Sequence, residues 1–191
     1  MIIVGFVLLG LLAIAILYTI LVYNRLINLK HDTAKAWSNI DVLLKQRHDE
    51  LPKLVETCKQ FMRHEKDTLE AVMKARSSVF SARESHDMTA LGNAESLLRQ
   101  GLVQLFAVAE AYPDLKASAS FRSLEARITS LENAIADRRE FYNDCVNTNN
   151  IRLEEFPDLL IARFFNFEPF ELLEFTEEET ANVDLRALFN G

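Results

Sequence analysis

Histidines, cysteines and carboxylates are the residues of this chain that could carry chemistry, and their spacing fits none of the common catalytic sites. A di-iron carboxylate bundle needs Glu-x-x-His on two helices, and the sequence contains no Glu-x-x-His. A zinc-protease helix would need a second histidine four residues after His64, where Thr68 stands. The chain also has no Gly-x-Ser-x-Gly motif and no glycine-rich phosphate or dinucleotide loop. We therefore predict that the protein is not an enzyme and has no catalytic, metal-binding or cofactor-binding residues.

The two cysteines predict packed free thiols. Cys58 and Cys145 make neither a disulfide framework nor a zinc spacing. Both lie on apolar stripes, where burial raises the pKa of a thiol and lowers its nucleophilicity at neutral pH.

Several polar residues interrupt apolar helix faces. They could form one satisfied network that fixes the register of the helices, or they could line a groove for a ligand or partner. Asparagine is a poor helix former, so its clustering in the third long helix needs a reason beyond helix formation. The candidate residues are Glu65, Arg76, Arg138, Asn143, Asn147, Asn149 and Asn150.

Residues 2–23 carry no charged side chain and are long enough to cross a bilayer as a helix. A cleaved signal peptide would have a basic start, a shorter apolar stretch and a small-x-small cleavage site. We predict a retained membrane anchor over residues 1–24. Arg25, Lys30 and Lys35 follow it, so the positive-inside rule places the rest of the chain in the cytosol, with a short N-terminus outside.

Residues 25–157 carry apolar side chains every three or four positions, which predicts a long antiparallel bundle of three to four helices. The fold class is therefore all-α. Pro52 could kink the first helix or break it. Polar residues 81–87 predict a loop, and Pro113 lies at a turn, after which Ser118 or Ser120 could cap the next helix. Pro157 is expected to end the last long helix.

Residues 158–191 form a tail that is rich in phenylalanine and then acidic, and its final residues are expected to be extended or loosely ordered. The apolar part must cover something, either the end of the bundle or the bilayer interface. The interface alternative needs the last long helix to run back toward the membrane, which we expect only if the first helix breaks at Pro52. The candidate contact residues are Phe164, Phe165, Phe167 and Phe170.

The distribution of charge makes nucleic acid an improbable partner. Residues from Arg25 to Arg152 include 19 basic and 18 acidic side chains, and the residues after Arg152 include 2 basic and 10 acidic side chains. Neither part offers the basic surface that binding to phosphates requires.

The chain resembles the LemA family. The resemblance lies in AWSNIDVLLKQRHDELPKLVETCKQFMRHE (36–65), LEAVMKARS (69–77), AEAYPDLKASASF (109–121) and RREFYNDCVNTNN (138–150), in that order. A Tyr-Asn pair at 23–24 and a Phe-Pro pair at 156–157 complete it. Serine in KASASF and the acidic tail depart from the usual pattern of the family. The resemblance implies a bacterial, membrane-tethered helical bundle in the cytosol and little chemistry.

Two hypotheses for function follow. The first is a non-enzymatic membrane scaffold at the bacterial inner membrane, in contact with lipid through residues 2–23 and able to form a homo-oligomer. The second is a binding module that holds another membrane protein or a small ligand through the asparagine flank or the phenylalanine tail.

Overall fold

The computed structural model describes residues 1–174, and within that range the chain forms six α-helices and no β-strand. Four of the helices are long, which confirms the predicted all-α bundle. The helices are α1 Ile2–Lys59, α2 Lys66–Ser85, α3 Met88–Ala109, α4 Pro113–Ala117, α5 Ala119–Glu154 and α6 Asp158–Phe164. The predicted looseness of the final, acidic residues concerns positions outside the described range.

Pro52 neither breaks α1 nor ends it. Proline has no N–H, so the carbonyl of His48, four residues earlier, lacks its usual helical donor. Arg76 of α2 supplies one, with its Nε 2.9 Å from that carbonyl oxygen. The turn comes later, after Lys59, where the amides of Phe61 and Met62 both bond back to the carbonyl of Cys58, at 3.0 and 2.8 Å.

The loop predicted at residues 81–87 is mostly helical, so that prediction was wrong. The α2 helix continues to Ser85, and the chain reverses at His86, whose φ of 54° lies in the left-handed region. Asp87 then caps α3 by accepting a hydrogen bond from the amide of Ala90 at 2.8 Å. An exposed helix surface and a loop can have the same polar composition, so composition alone did not distinguish them at residues 81–87.

The connection between α3 and α5 follows the sequence prediction. Pro113 occupies the first turn of the short α4, where its missing N–H costs nothing. Of the two candidate caps, Ser118 accepts a hydrogen bond from the amide of Phe121 at 3.4 Å.

The chain divides into two compact units, each drawing on different parts of α1 and α5. The first unit contains residues Met1–Ile40 and Asp137–Leu172. In it α1 and α5 run antiparallel: Thr33 bonds the carbonyl of Cys145 at 3.4 Å, and the Trp37 and Tyr142 rings lie 5.8 Å apart. Near the end of α5, a small core joins Val22, Leu26, Leu153 and Ala162.

The second unit contains Asp41–Ala136 and the described residues from Leu173 onward. Here the later part of α1 packs with α2, α3 and the first part of α5. The α5 helix again runs antiparallel to α1, since Arg47 pairs with Glu132 and Glu50 pairs with Arg127. The reversal needed for this return occurs at residues 60–65. The expectation that it required a break at Pro52 was therefore wrong.

Among residues 1–174, α1 is the one helix that is long and apolar enough to cross a membrane, with a window of mean hydropathy 2.7. Every side chain from Ile2 to Tyr18 is exposed. A core helix of a soluble bundle would have one buried face. This segment has none, which fits contact with lipid.

Candidate functional site

A buried ionic cluster lies in the second unit. Arg47 is 1 % exposed and pairs with Glu95, which is also buried, and with Glu132 at 2.6 Å. Burial lowers the pKa of Arg47, but the two carboxylates more than reverse this, so its net pKa is raised. A charge held this way joins α1, α3 and α5 and is inaccessible to any substrate.

Glu65 and Arg76, two of the predicted polar candidates, also lie in the second unit and have separate partners. The hydroxyl of Tyr112 donates to Glu65 at 3.0 Å, and this hydrogen bond, together with burial, raises the pKa of Tyr112. Arg76 bonds the carbonyl and the ring of His48. Burial and the charge of Arg76 lower the pKa of His48, so its neutral ring can accept that bond.

The asparagine flank of α5 lies in the first unit, and the chain's own tail contacts it. Asn150 donates to the carbonyl of Phe170 at 2.9 Å and accepts from the amide of Phe170 at 3.0 Å. One side-chain amide thus pairs with a peptide unit as a neighbouring strand would. Asn149 is buried and donates to Asn150 at 3.2 Å. The hydroxyl of Tyr142, whose pKa is raised to about 12 chiefly by burial, donates to the carbonyl of Glu171 at 2.9 Å.

The other predicted polar candidates are less enclosed. Asn143 is half-buried, and Asn147 and Arg138 are exposed. The buried arginine of this region is the next residue, Arg139, at 6 % exposure. A shift of one position on a helix rotates a side chain by about 100°, which separates a core residue from a surface one.

The phenylalanines of the tail divide into two sets. Phe167 packs against the core of Val22 and Leu26, and its ring lies 5.9 Å from that of Tyr23. The ring of Phe165 lies 4.7 Å from that of Tyr23, tilted by 58°, but stays 44% exposed. Phe170 is half-buried, whereas Phe164 is 79 % exposed. The tail therefore covers part of the first unit and leaves other rings uncovered by protein.

A cavity of about 450 Å³ lies beside this tail, within the first unit. Its walls combine aromatic rings, an amide and a cation. The lining residues include Tyr23, Lys30, Asn149, Phe165, Phe167 and Phe170.

Comparison with known proteins decides the family. The model of the LemA family matches residues 36–186, which is most of the chain. The chain belongs to the LemA family. It is also similar to the magnetosome proteins MamQ 1 and MamQ 2 of Paramagnetospirillum magneticum. Each is 24% identical over 188 residues, which cover 84% of this chain and 68% of the relative. The family and the exposed apolar helix together indicate a membrane-associated protein.

In this LemA-family chain the thiols are poorly suited to nucleophilic chemistry. Burial raises the pKa of Cys58 from 9.0 to about 12, and it raises that of Cys145 as well. Over residues 1–174, no three His, Cys, Asp or Glu side chains come close enough to hold a metal ion.

In this LemA-family chain, Arg47 and its two carboxylate partners were not predicted from the sequence. A signal was present, because Arg47 comes three residues after Leu44 and four before Leu51 and so falls on the apolar stripe of α1. Its partners belong to helices far along the chain, and only the packed structure brings them together.

Proposed function

We propose that this protein is a non-enzymatic helical scaffold, fixed to a membrane by residues 2–23. One observation carries the proposal. The apolar segment continues without a break into the part of α1 that packs against α5 at Leu26, Thr33 and Trp37. A tether joined by a flexible linker lets a domain reorient freely, whereas a shared helix holds it at a fixed height and angle.

For the membrane itself, we propose the bacterial inner membrane, with the bundle in the cytosol and the residues before the span outside. Arg25, Lys30 and Lys35 follow the span, which supports this orientation. The relatives are named as magnetosome proteins, and we propose that attachment to a membrane is the property shared with them.

The test of orientation uses a membrane-impermeant thiol reagent on intact cells, in a background without Cys58 and Cys145. A cysteine at Ile2 should react and a cysteine at His86, in the turn between α2 and α3, should not. Reaction of the His86 cysteine alone would refute the orientation. If the protein is found in the soluble fraction and not in the membrane fraction, the proposed anchor is refuted.

The proposal that the protein is not an enzyme is supported by how its reactive groups are used. Arg47 is buried and held in ion pairs with Glu95 and Glu132, and the pKa of each thiol is raised. Metal analysis and mass spectrometry of the natively purified protein test this. A stoichiometric metal or tightly bound cofactor would contradict it.

Self-association is the finer part of the proposal, and the exposed face of α3 supports it. Exposed residues on this face recur at spacings of four and three, as in a coiled-coil seam, and none is charged. Leu97 is 59% exposed and Val103, beside the seam, is 64% exposed. Confinement to a membrane raises the effective concentration of weak self-contacts. The seam residues are Asn93, Leu97, Gln100, Gln104 and Ala107.

Cysteine crosslinking in native membranes tests the seam. A cysteine at Leu97 should give a dimer-sized product, and a cysteine at Ser77, an exposed position of α2, should not. A Leu97→Glu change should then lower self-association of the detergent-extracted protein. Equal crosslinking from both positions, or a strictly monomeric wild type, would refute the role of α3.

A second candidate is a binding module for another membrane protein or a small ligand. The observation that favours it is the cavity of about 450 Å³ beside Asn149, together with the two hydrogen bonds between the side chain of Asn150 and the backbone of Phe170. Partners should be lost on Lys30→Ala, which changes the wall of the cavity, and kept on Lys35→Ala, a neighbouring exposed lysine. The same partners bound by both variants would remove this candidate.

A further inference from the structure

The short helix α6 lies directly against the apolar end of α1. The hydroxyl of Tyr18 donates to Asp158 at 3.2 Å, Ala162 packs in the core with Val22, and the rings of Phe165 and Tyr23 lie 4.7 Å apart. Residue numbers rise together along both helices. The α6 helix therefore runs beside the segment from Tyr18 to Tyr23, in the same direction.

A bilayer of ordinary thickness that surrounds the apolar part of α1 would end at the level of α6. A hydrocarbon core of about 30 Å takes about 20 residues of helix, which from Ile2 ends near Leu21. The continuously exposed stretch of α1 ends at Tyr18. The last turn that the hydrocarbon would cover is thus already in contact with α6.

The side of α6 that faces away from α1 is apolar and uncovered. Leu160 and Phe164, four residues apart on α6, are 59% and 79% exposed, and Phe156, in the turn just before α6, is 79% exposed. Asp158 and Ala162 are buried, at 5% and 2% exposure. An apolar row of this kind beside a membrane span is continuous with the surface that lipid covers.

The nearby charges are compatible with an interfacial position. Asp158 is bonded to Tyr18 and lies 3.8 Å from Arg152, and Arg152 also pairs with Glu155 at 2.5 Å. The exposed Arg163 has a side chain long enough to reach lipid headgroups while its stem stays in apolar surroundings.

We infer that the row of Phe156, Leu160 and Phe164 lies in the interfacial layer of the bilayer, as a second membrane contact beside the anchor. The inference rests on the proposed anchoring of residues 2–23. Tyr18 lies about 7.5 Å from Tyr23 along the helix axis, within the 5–10 Å depth typical of interfacial helices. Leu160 lies deeper than Phe164, and Phe167 stays packed on protein.

Tryptophan scanning with brominated lipids tests the depth of α6. The natural Trp37 is the only tryptophan, so the full chain carrying Trp37→Phe provides a dark background. Single variants Leu160→Trp and Phe164→Trp are reconstituted in phosphatidylethanolamine and phosphatidylglycerol vesicles, with phosphatidylcholine brominated near either end of the acyl chain. Leu12→Trp marks the anchor. Val42→Trp, 55% exposed and 19 residues after Tyr23 in the chain, is the matched control.

Leu160→Trp and Phe164→Trp should emit at shorter wavelength than Val42→Trp and lose most of their intensity to bromine near the headgroup end. Leu160→Trp should be quenched more than Phe164→Trp, and Leu12→Trp should respond to bromine near the methyl end. Unquenched Leu12→Trp would overturn the anchor itself. Quenched Leu12→Trp with two unquenched α6 variants would overturn only this inference, and short-wavelength emission without quenching would show that protein covers the row.

Discussion

The hydrogen bond from Arg76 to the carbonyl of His48 predicts an energetic coupling between Arg76 and Pro52. Arg76 replaces the N–H that Pro52 lacks, so its value should depend on that proline. The perturbation is a double-mutant cycle of wild type, Arg76→Met, Pro52→Ala and the double variant. Methionine keeps the apolar stem of the arginine, and alanine restores the N–H of the helix.

The expected magnitudes follow from the structure. Arg76→Met leaves a carbonyl without a donor and loses a charged hydrogen bond of 2.9 Å, at a cost of about 1.5–3 kcal/mol. Pro52→Ala removes a residue that costs about 3 kcal/mol inside a helix, but Arg76 already offsets part of this, so we expect a gain of about 1–2 kcal/mol. In the Pro52→Ala background the new N–H serves the carbonyl, and Arg76→Met should cost about 1–2 kcal/mol less than in wild type.

Urea unfolding of the full chain in detergent, followed by circular dichroism, measures the four free energies of unfolding. The contact of Arg76 with the ring of His48 is present in both backgrounds and cancels in the cycle. A coupling below about 0.5 kcal/mol would refute the reasoning, because Arg76 would then be acting independently of Pro52.

Three further predictions are tested by urea unfolding unless another measurement is named. A Cβ at Gly92 would lie 2.3 Å from a backbone oxygen of the tail, so Gly92→Ala should destabilise and speed cleavage of the tail by a Glu-specific protease. Gly101→Ala is the matched control: its Cβ would meet nothing closer than 3.4 Å, so this variant should be more stable by about 0.5–1 kcal/mol. A gain in stability from both variants would contradict the contact between the tail and Gly92. Arg47→Met removes both ion pairs of a buried charge, with Glu95 and with Glu132, and should cost about 3–5 kcal/mol, whereas Arg138→Met, at an exposed position, should stay within about 0.5 kcal/mol. Burial raises the pKa of Cys58 from 9.0 to about 12, so the unfolded chain loses this proton at a lower pH than the folded protein does. The stability that the protonated thiol contributes is therefore complete below pH 9.0 and is lost as the pH rises toward about 12. In Cys58→Ala the free energy of unfolding should not show this fall at alkaline pH. The same pH profile in the variant and the wild type would contradict the prediction.

The fold could be predicted from the sequence where the signal was local or periodic. The apolar stripes gave the all-α bundle, and Pro113 and Ser118 gave the position of a turn and a cap. The helix boundaries at residues 60–65 and 81–87 were missed for opposite reasons. The first turn carries apolar residues such as Met62, which is buried, and the end of α2 carries polar residues on an exposed face.

The candidate site was harder to predict because its contacts join residues distant in sequence. Asparagine spacing drew attention to Asn150 but could not show that its partner is the backbone of Phe170. Arg138 and Arg139 are adjacent, and only the phase of α5 decides which one is buried. Whether the Asn149 cavity holds a ligand stays a prediction.

The first unit combines two segments that are far apart in the sequence, and this has a consequence for biosynthesis. The face of α1 that carries Val22 and Leu26 is completed by Leu153 and Ala162, about 130 residues later. At about 5–20 residues per second, ribosomes need roughly 6 to 26 seconds to supply them. During that interval, the apolar face that carries Val22 and Leu26 would remain uncovered next to the membrane. Insertion factors or chaperones could bind this face until α5 and α6 have been synthesised.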